Sequence, residues 1–139
     1  MNRELNIPSS FVYLKEVDLF VRELLRHYHV SDSIAGYINL SICESVNNAI
    51  LHGNKLNQEK TVRIRAELAD EFLVVEVEDE GEGFNFHVMP DPTAVENIRN
   101  EGGRGLFIIR NLADQLNFKN NGSLVQLKFK LNREHQFLL

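Results

Sequence analysis

The chain has 139 residues, 15 Lys+Arg, 20 Asp+Glu and one Cys, for a net charge of −5. A chain of that length buries ~68–70 % of its unfolded surface, so a single core needs no disulfide or metal staple, and residues 1–139 read as a single domain. The ~20-residue apolar run of a membrane span is absent, Met1–Pro8 lacks the basic and apolar regions of a signal peptide, and the acidic balance argues against direct nucleic-acid binding. Cys43 has no internal partner, which points to a reducing, cytoplasmic compartment.

In chain order, Leu5–Ile7 predicts a short strand ended by Pro8. From about Ser10 to Tyr28, Leu14, Val17, Phe20 or Val21, Leu24 and Leu25 recur at three- and four-residue spacing, which predicts a helix. Ser31 or Asp32 caps a second helix, with Ile34, Ile38, Ile42, Val46 and Ile50 along one face. Gly53 is expected to stop it, since Gly accepts the left-handed conformation. Thr61–Leu68 turns Val62, Ile64, Ala66 and Leu68 to one face and Arg63, Arg65 and Glu67 to the other. Phe72–Asp79 alternates likewise, and the turn Ala69–Asp70–Glu71 makes the two a hairpin. Residues 80–102 carry Gly81, Gly83, Pro90, Pro92 and Gly102 and read as an irregular, functional loop. A helix from about Gly105 to Leu116 comes next, with Leu106, Ile109, Leu112, Ala113 and Leu116 on one stripe. Strands Asn117–Asn120 and Leu124–Leu131 close the chain around Asn120–Asn121–Gly122. This order predicts an α+β fold, a two-layer α/β sandwich with helices on one face of a mixed, mainly antiparallel sheet.

Three polar features interrupt this pattern. Glu44 and Asn48 stand one turn apart on the second helix, roughly 130° around from its isoleucine stripe. Leu40, Cys43, Asn47 and Leu51 flank them, so a carboxylate and a carboxamide sit within a second, largely apolar side. Asp79-Glu80-Gly81-Glu82-Gly83-Phe84 leaves a strand through a Gly-x-Gly turn, which lets backbone approach a ligand closely. An Asp at that strand end can accept a hydrogen bond from an exocyclic amine. Gly102-Gly103-Arg104-Gly105-Leu106 opens a helix whose free N–H groups and dipole favour an anion, with a phosphate-compatible guanidinium beside them. It is neither a Lys-Ser/Thr P-loop nor a Rossmann fingerprint.

In this order the three features resemble the ATP-binding domain shared by gyrase, Hsp90 chaperones, histidine kinases and MutL, the GHKL or Bergerat fold. Glu44-x-x-x-Asn48-Ala49-Ile50-Leu51-His52-Gly53 is similar to its N-box, Asp79-x-Gly81-x-Gly83-Phe84 to its G1 box and Gly103-Arg104-Gly105-Leu106 to its G2 box. The Asn-Ala-Ile-x-His-Gly wording in so short a chain resembles the anti-sigma factor serine/threonine kinases of bacterial partner-switching systems. The resemblance runs from about Ser10 to Leu131.

The resemblance implies a role for each residue. Asn48 would hold Mg²⁺ bridging the phosphates of ATP, a task that suits a carboxamide oxygen. Glu44 would be the general base. Asp79 would bond the adenine amine, with Gly81, Gly83 and Phe84 beside the base. Residues 85–101 would form the ATP lid, and Gly103, Arg104, Gly105 and Leu106 would close on the phosphates. His52 matches the N-box His and would line the nucleotide. Ser123 takes a place near the adenine where the family often carries Thr, so Ser departs from the pattern. The implied protein is a serine/threonine kinase that sequesters a sigma factor and phosphorylates an anti-sigma antagonist protein, with a homodimer as its suggested assembly. The competing reading is a non-enzymatic, ATP-binding switch that acts through protein partners; the presence of Glu44 favours the kinase.

Charge is divided along the chain. Glu67, Asp70, Glu71, Glu76, Glu78, Asp79, Glu80 and Glu82 fall within 67–82 with no Lys or Arg among them. From Arg99 to Arg133 the balance is basic. Of the acids, only Asp79 belongs to a motif; Glu80 and Glu82 are expected to be solvated. Cys43, one position before Glu44, reads as a core residue.

Overall fold

The computed structural model describes residues 2–82 and 112–131. Strand β1 spans Arg3–Pro8 and turns Leu5 and Ile7 inward, with Ile7 fully buried. The chain enters its first helix more tightly than the periodicity predicts. Ser10 caps a 3₁₀ turn over Phe11–Tyr13, and helix α1 then runs Leu14–His27. Val17, Val21, Leu24 and Leu25 are its buried stripe. Ser31, as expected, caps helix α2, Asp32–Asn48, by accepting the Ser33 N–H at 3.3 Å.

The predicted isoleucine face of α2 is the core face. Ile38, Ile42, Val46 and Ile50 are at most 2 % exposed, and Ile34 packs against the same cluster. Ser41 and Ser45, also buried there, donate their hydroxyls to the carbonyls one turn back, Tyr37 at 2.9 Å and Ser41 at 3.0 Å. Burial therefore leaves neither hydroxyl unsatisfied.

Strands β2 (Thr61–Ala69) and β3 (Phe72–Glu78) form the predicted hairpin, with Asp70 left-handed in its turn at φ 56°. Strands β4 (Gln115–Lys119) and β5 (Leu124–Lys130) form a second, closed through left-handed Asn120 and Asn121 and Gly122 at φ 95°. The sheet order is β1-β2-β3-β5-β4, and every pairing among the described strands is antiparallel. The helix predicted over 105–116 extends too far at its end. Leu116 fits a helical stripe but also alternates inward with Phe118, and it belongs to β4. Asp114 is already tied to β5, its N–H donating to the Lys128 carbonyl at 2.9 Å and its carboxylate accepting the Lys130 N–H at 2.7 Å.

The helices lie on one face of the sheet, where Val62, Ile64, Ala66, Leu73, Val75, Val77, Leu127 and Phe129 complete the core. The opposite face carries a polar row across all five strands: Glu4, Arg65, Glu76, Gln126 and Asn117 are successive register partners. Arg65 Nη2 meets Glu76 Oε1 at 2.9 Å, Gln126 donates to Glu76 Oε2 at 3.2 Å, and Asn117 donates to Gln126 at 3.4 Å. This satisfied face is built for solvent. The candidate residues Glu44, Asn48 and Asp79 lie elsewhere, at the end of α2 and the exit of β3.

Candidate active site

Glu44 and Asn48 occupy the last two turns of α2 and are both half-buried, on the side away from its isoleucines. Neither is pulled into the core, and neither is on a freely solvated face. The Asn48 carboxamide makes no capping bond to the next turn.

That turn is where the structure departs from the sequence reading. The α-helix ends at Asn48, and Ala49–Gly53 forms a π turn, closed by the Asn54 N–H donating to the Ala49 carbonyl at 2.8 Å. A π turn in a helix widens it by one residue and re-aims the chain beyond it, as at many functional sites. Gly53 is not the left-handed stop expected of it. The left-handed residues come later, at Lys55 (φ 53°) and Leu56 (φ 61°), a conformation L side chains rarely adopt. Gly53 is needed for space: a Cβ there would run into the Asp79 carboxylate, meeting Cγ and Oδ2 and lying 2.8 Å from Oδ1. Gly81 is needed for the same reason, because its Cβ would strike the Gly53 carbonyl and lie 2.9 Å from Asp79 Oδ1.

Gly53, Asp79 and Gly81 therefore form one close-packed joint between the end of α2 and the exit of β3. Asp79 has left the sheet ladder, and its N–H donates to the Ser123 carbonyl at 2.9 Å. Its Oδ1 accepts the Gly81 N–H at 2.7 Å. Burial pushes the Asp79 carboxyl above the ordinary carboxylate range; the Gly81 N–H opposes that, Glu78 adds to it and Lys60 offsets it.

Of the residues singled out from the sequence, Asp79, Gly81 and Ser123 are in mutual contact or hydrogen-bonded. Ser123 joins through its carbonyl, while its hydroxyl donates to the Asn120 carbonyl at 2.9 Å. The Gly53 joint links them to the helix carrying Glu44 and Asn48. His52 is exposed on the π turn. Gly83, Phe84, Gly103, Arg104, Gly105, Leu106 and the lid at 85–101 lie outside the described residues.

Two residues were undervalued by sequence reasoning. Asn54 is 2 % exposed, and its carboxamide joins three segments. Glu80 is exposed as expected, yet its Oε2 accepts both the Thr61 N–H at 2.5 Å and the Thr61 hydroxyl at 3.1 Å. Those two bonds hold its carboxyl below the usual range. An Asn after Gly and a Glu in an acidic run carry no periodic signal; only tertiary contact distinguishes them.

Cys43 is half-buried behind Glu44 and donates its thiol to Asn39 Oδ1 at 3.3 Å. Asn39 in turn donates to Asp18 of α1 at 2.8 Å, where Arg22 also binds at 2.8 Å. Burial, with Asp18 and Glu44 adding to it, pushes the thiol up to about 11. Cys43 is a packed polar-apolar residue, in keeping with the sequence reading. No described helix is long and apolar enough to cross a membrane.

The chain is 26 % identical over 140 residues to a protein of Staphylococcus epidermidis named serine-protein kinase RsbW, covering 94 % of this chain and 87 % of that protein. It is 30 % identical over 100 residues to a Clostridium perfringens protein named anti-sigma F factor, covering 68 % of this chain and 71 % of the relative. A crystal structure of the RsbU and RsbW domains of a Mycobacterium tuberculosis protein superposes with a TM-score of 0.67 at 20 % identity, covering 96 % of this chain and 33 % of that longer one. That likeness concerns the fold alone. Residues 7–129 match the family described as histidine kinase-like ATPase domain, a span that holds Glu44, Asn48, the Gly53 joint and Asp79, and the chain belongs to that family.

Proposed function

We propose that the protein is an ATP-dependent serine/threonine kinase that acts as an anti-sigma factor, sequestering a sigma factor and phosphorylating an anti-sigma antagonist. The observation that carries this reading is the joint at Gly53, which fastens the helix bearing Glu44 and Asn48 to the strand exit bearing Asp79. Such a joint sets a base-recognition group and a phosphate-handling group at a fixed separation. The names of the two relatives, and their coverage of this chain, support the same assignment.

Each part has its own task. Asp79, with Oδ1 engaged by Gly81, offers Oδ2 to the exocyclic amine of adenine. Gly53 and Gly81, lacking Cβ atoms, keep the backbone low beside it. The carboxamide of Asn48, half-buried and making no cap bond, would hold Mg²⁺, which would supply charge neutralisation at the phosphates. Glu44, one helical turn away, accepts the proton from the Ser or Thr hydroxyl of the antagonist. The hydroxyl oxygen then bonds to the γ-phosphorus as its bond to the β-bridging oxygen breaks and ADP leaves. His52, exposed on the same turn as Gly53, lines the nucleotide in this reading. Gly83, Phe84, Gly103, Arg104, Gly105, Leu106 and Ser123 complete the proposed nucleotide set, in a single domain, 1–139, that works in the cytoplasm as a homodimer.

The test is transfer of labelled γ-phosphate from ATP to candidate antagonists encoded beside this protein, run with and without Mg²⁺. Mg²⁺-dependent label on a Ser or Thr of one antagonist, with its release from the kinase, is expected. ATP binding without transfer to any antagonist would overturn the kinase and leave an ATP-binding switch. No ATP binding at all would overturn both.

A further inference from the structure

The side chain of Asn54, 2 % exposed, makes three hydrogen bonds. Its Nδ2 donates to Ser9 Oγ at 2.7 Å and to the Thr61 carbonyl at 2.9 Å, and its Oδ1 accepts the Glu80 N–H at 2.8 Å. Three segments distant in sequence thus meet on one carboxamide: the end of β1, the start of β2 and the turn after β3. Glu80 closes a ring by reaching back to the N–H and hydroxyl of Thr61. Ser9 is itself spent, its hydroxyl donating to the Lys60 carbonyl at 2.7 Å.

The backbone is bent to put Asn54 there. The π turn places its N–H on Ala49, and the chain then runs through two consecutive left-handed residues, Lys55 and Leu56, with the Leu56 N–H on the Ile50 carbonyl at 2.8 Å. Left-handed non-glycine pairs persist only where surrounding bonds over-determine them. Those bonds converge on the residue adjoining Gly53, whose backbone touches Asp79, and on Glu80, the residue after Asp79.

We propose that Asn54 is a positioning residue for nucleotide recognition: with Glu80 and Thr61 it forms a ring that fixes the Asp79 turn on the end of α2, and so fixes the purine-binding carboxylate relative to Asn48 and Glu44. The inference rests on the reading of Asp79 as the adenine contact. It assigns Asn54 no contact with the nucleotide. Loosening the ring blurs recognition of the purine edge while leaving the residues of α2 in place.

The experiment compares Mg·ATP with the Mg complex of purine riboside triphosphate, which lacks only the 6-amino group, by calorimetry. Wild-type protein is expected to prefer ATP. Asn54→Ala should weaken ATP about tenfold, the loss of one positioned hydrogen bond, and weaken the amine-free analogue little. Adding Asp79→Asn to Asn54→Ala should cost less than Asp79→Asn alone. Equal weakening of both nucleotides, or unchanged ATP affinity, overturns the proposal, because a general loss of folding would strike both ligands alike. If Asn54→Ala does not fold, Glu80→Ala opens the same ring from an exposed position and should show the same selectivity at smaller amplitude; equal effects on the two ligands again overturn it. Wild-type protein that binds both nucleotides equally refutes the Asp79 reading itself, and the proposal with it. That outcome is separated from failure of Asn54 alone, because it is read without any variant.

Discussion

Replacing Asp79 with Asn changes one atom type in a site whose geometry fixes the consequence. The Gly81 N–H reaches Oδ1 at 2.7 Å and decides which end of the new carboxamide is oxygen, since the reverse orientation would set donor against donor. Nδ2 then stands where Oδ2 stood, so that the purine amine of the proposed contact would meet a donor in place of an acceptor. A hydrogen bond to a charged group contributes ~1.5–3 kcal/mol. ATP affinity should therefore fall ~10- to 150-fold, at about 1.4 kcal/mol per decade. Inosine triphosphate, which presents a 6-oxo acceptor, should lose little or gain. Titration calorimetry with the two nucleotides reads the difference directly.

Melting curves supply the control. Asp79 has a carboxyl raised by burial, so it contributes stability below the ordinary carboxylate pKa that is lost as pH rises through its folded value. The Asn variant carries no such charge. It should melt no lower than wild type near neutral pH, and its stability relative to wild type should rise as the pH climbs above the ordinary carboxylate pKa. Equal losses for ATP and inosine triphosphate, or an unchanged ATP affinity, would refute the assignment of Oδ2 to the purine amine.

Three further outcomes are expected. Glu44→Gln keeps the side chain's shape and should retain ATP binding while phosphoryl transfer falls ~100- to 10,000-fold, the range for loss of a general base; a phosphotransfer time course beside a binding titration checks it. Gly53→Ala drives a methyl into the Asp79 carboxylate and should cost ~1–3 kcal/mol of stability together with ATP binding, read by denaturant melts and titration. The Cys43 thiol, pushed up to about 11, should resist iodoacetamide at neutral pH in the folded protein and react readily in urea, followed by mass spectrometry.

Much of the architecture was legible because its signals are periodic. The α2 stripe from Ile34 to Ile50 and the alternation of Val62, Ile64 and Ala66 against Leu73, Val75 and Val77 name the core faces almost residue by residue. Failure came where two periods overlap or where neither applies. Leu116 satisfies both a helical stripe and a strand alternation, and bonds from Asp114 to β5 decide for the strand. Gly53 reads as a helix stop from sequence, since a glycine used for its conformation and one used for its missing Cβ look identical. Only its spatial neighbour Asp79 can tell them apart. The motif residues Glu44, Asn48, Asp79 and Gly81 were legible through spacing and resemblance. Asn54 was not, because its partners Ser9, Thr61 and Glu80 are brought to it by the sheet.

These contacts also explain why the site tolerates an acidic setting. The carboxylates of 67–82 do not act as one field. Glu76 and Glu78 face the solvent side of the sheet, where Arg65 lies 2.9 Å from the first and Arg63 3.8 Å from the second. Glu80 is spent on Thr61. Asp79 turns into the joint, and burial rather than the neighbouring acids is the larger cause of its raised carboxyl. Glu71, Glu76, Glu78 and Glu80 each have a cation or a hydrogen-bond donor as partner, which weakens the negative field that a phosphate at the α2 end would meet. Reversing one of the paired bases, as in Arg65→Glu, should leave ATP affinity nearly unchanged at physiological salt, where exposed charges beyond about 8–10 Å are screened. A large drop in affinity would mean that the acidic segment acts on the site as a whole, and that the division of charge along the chain has no structural meaning.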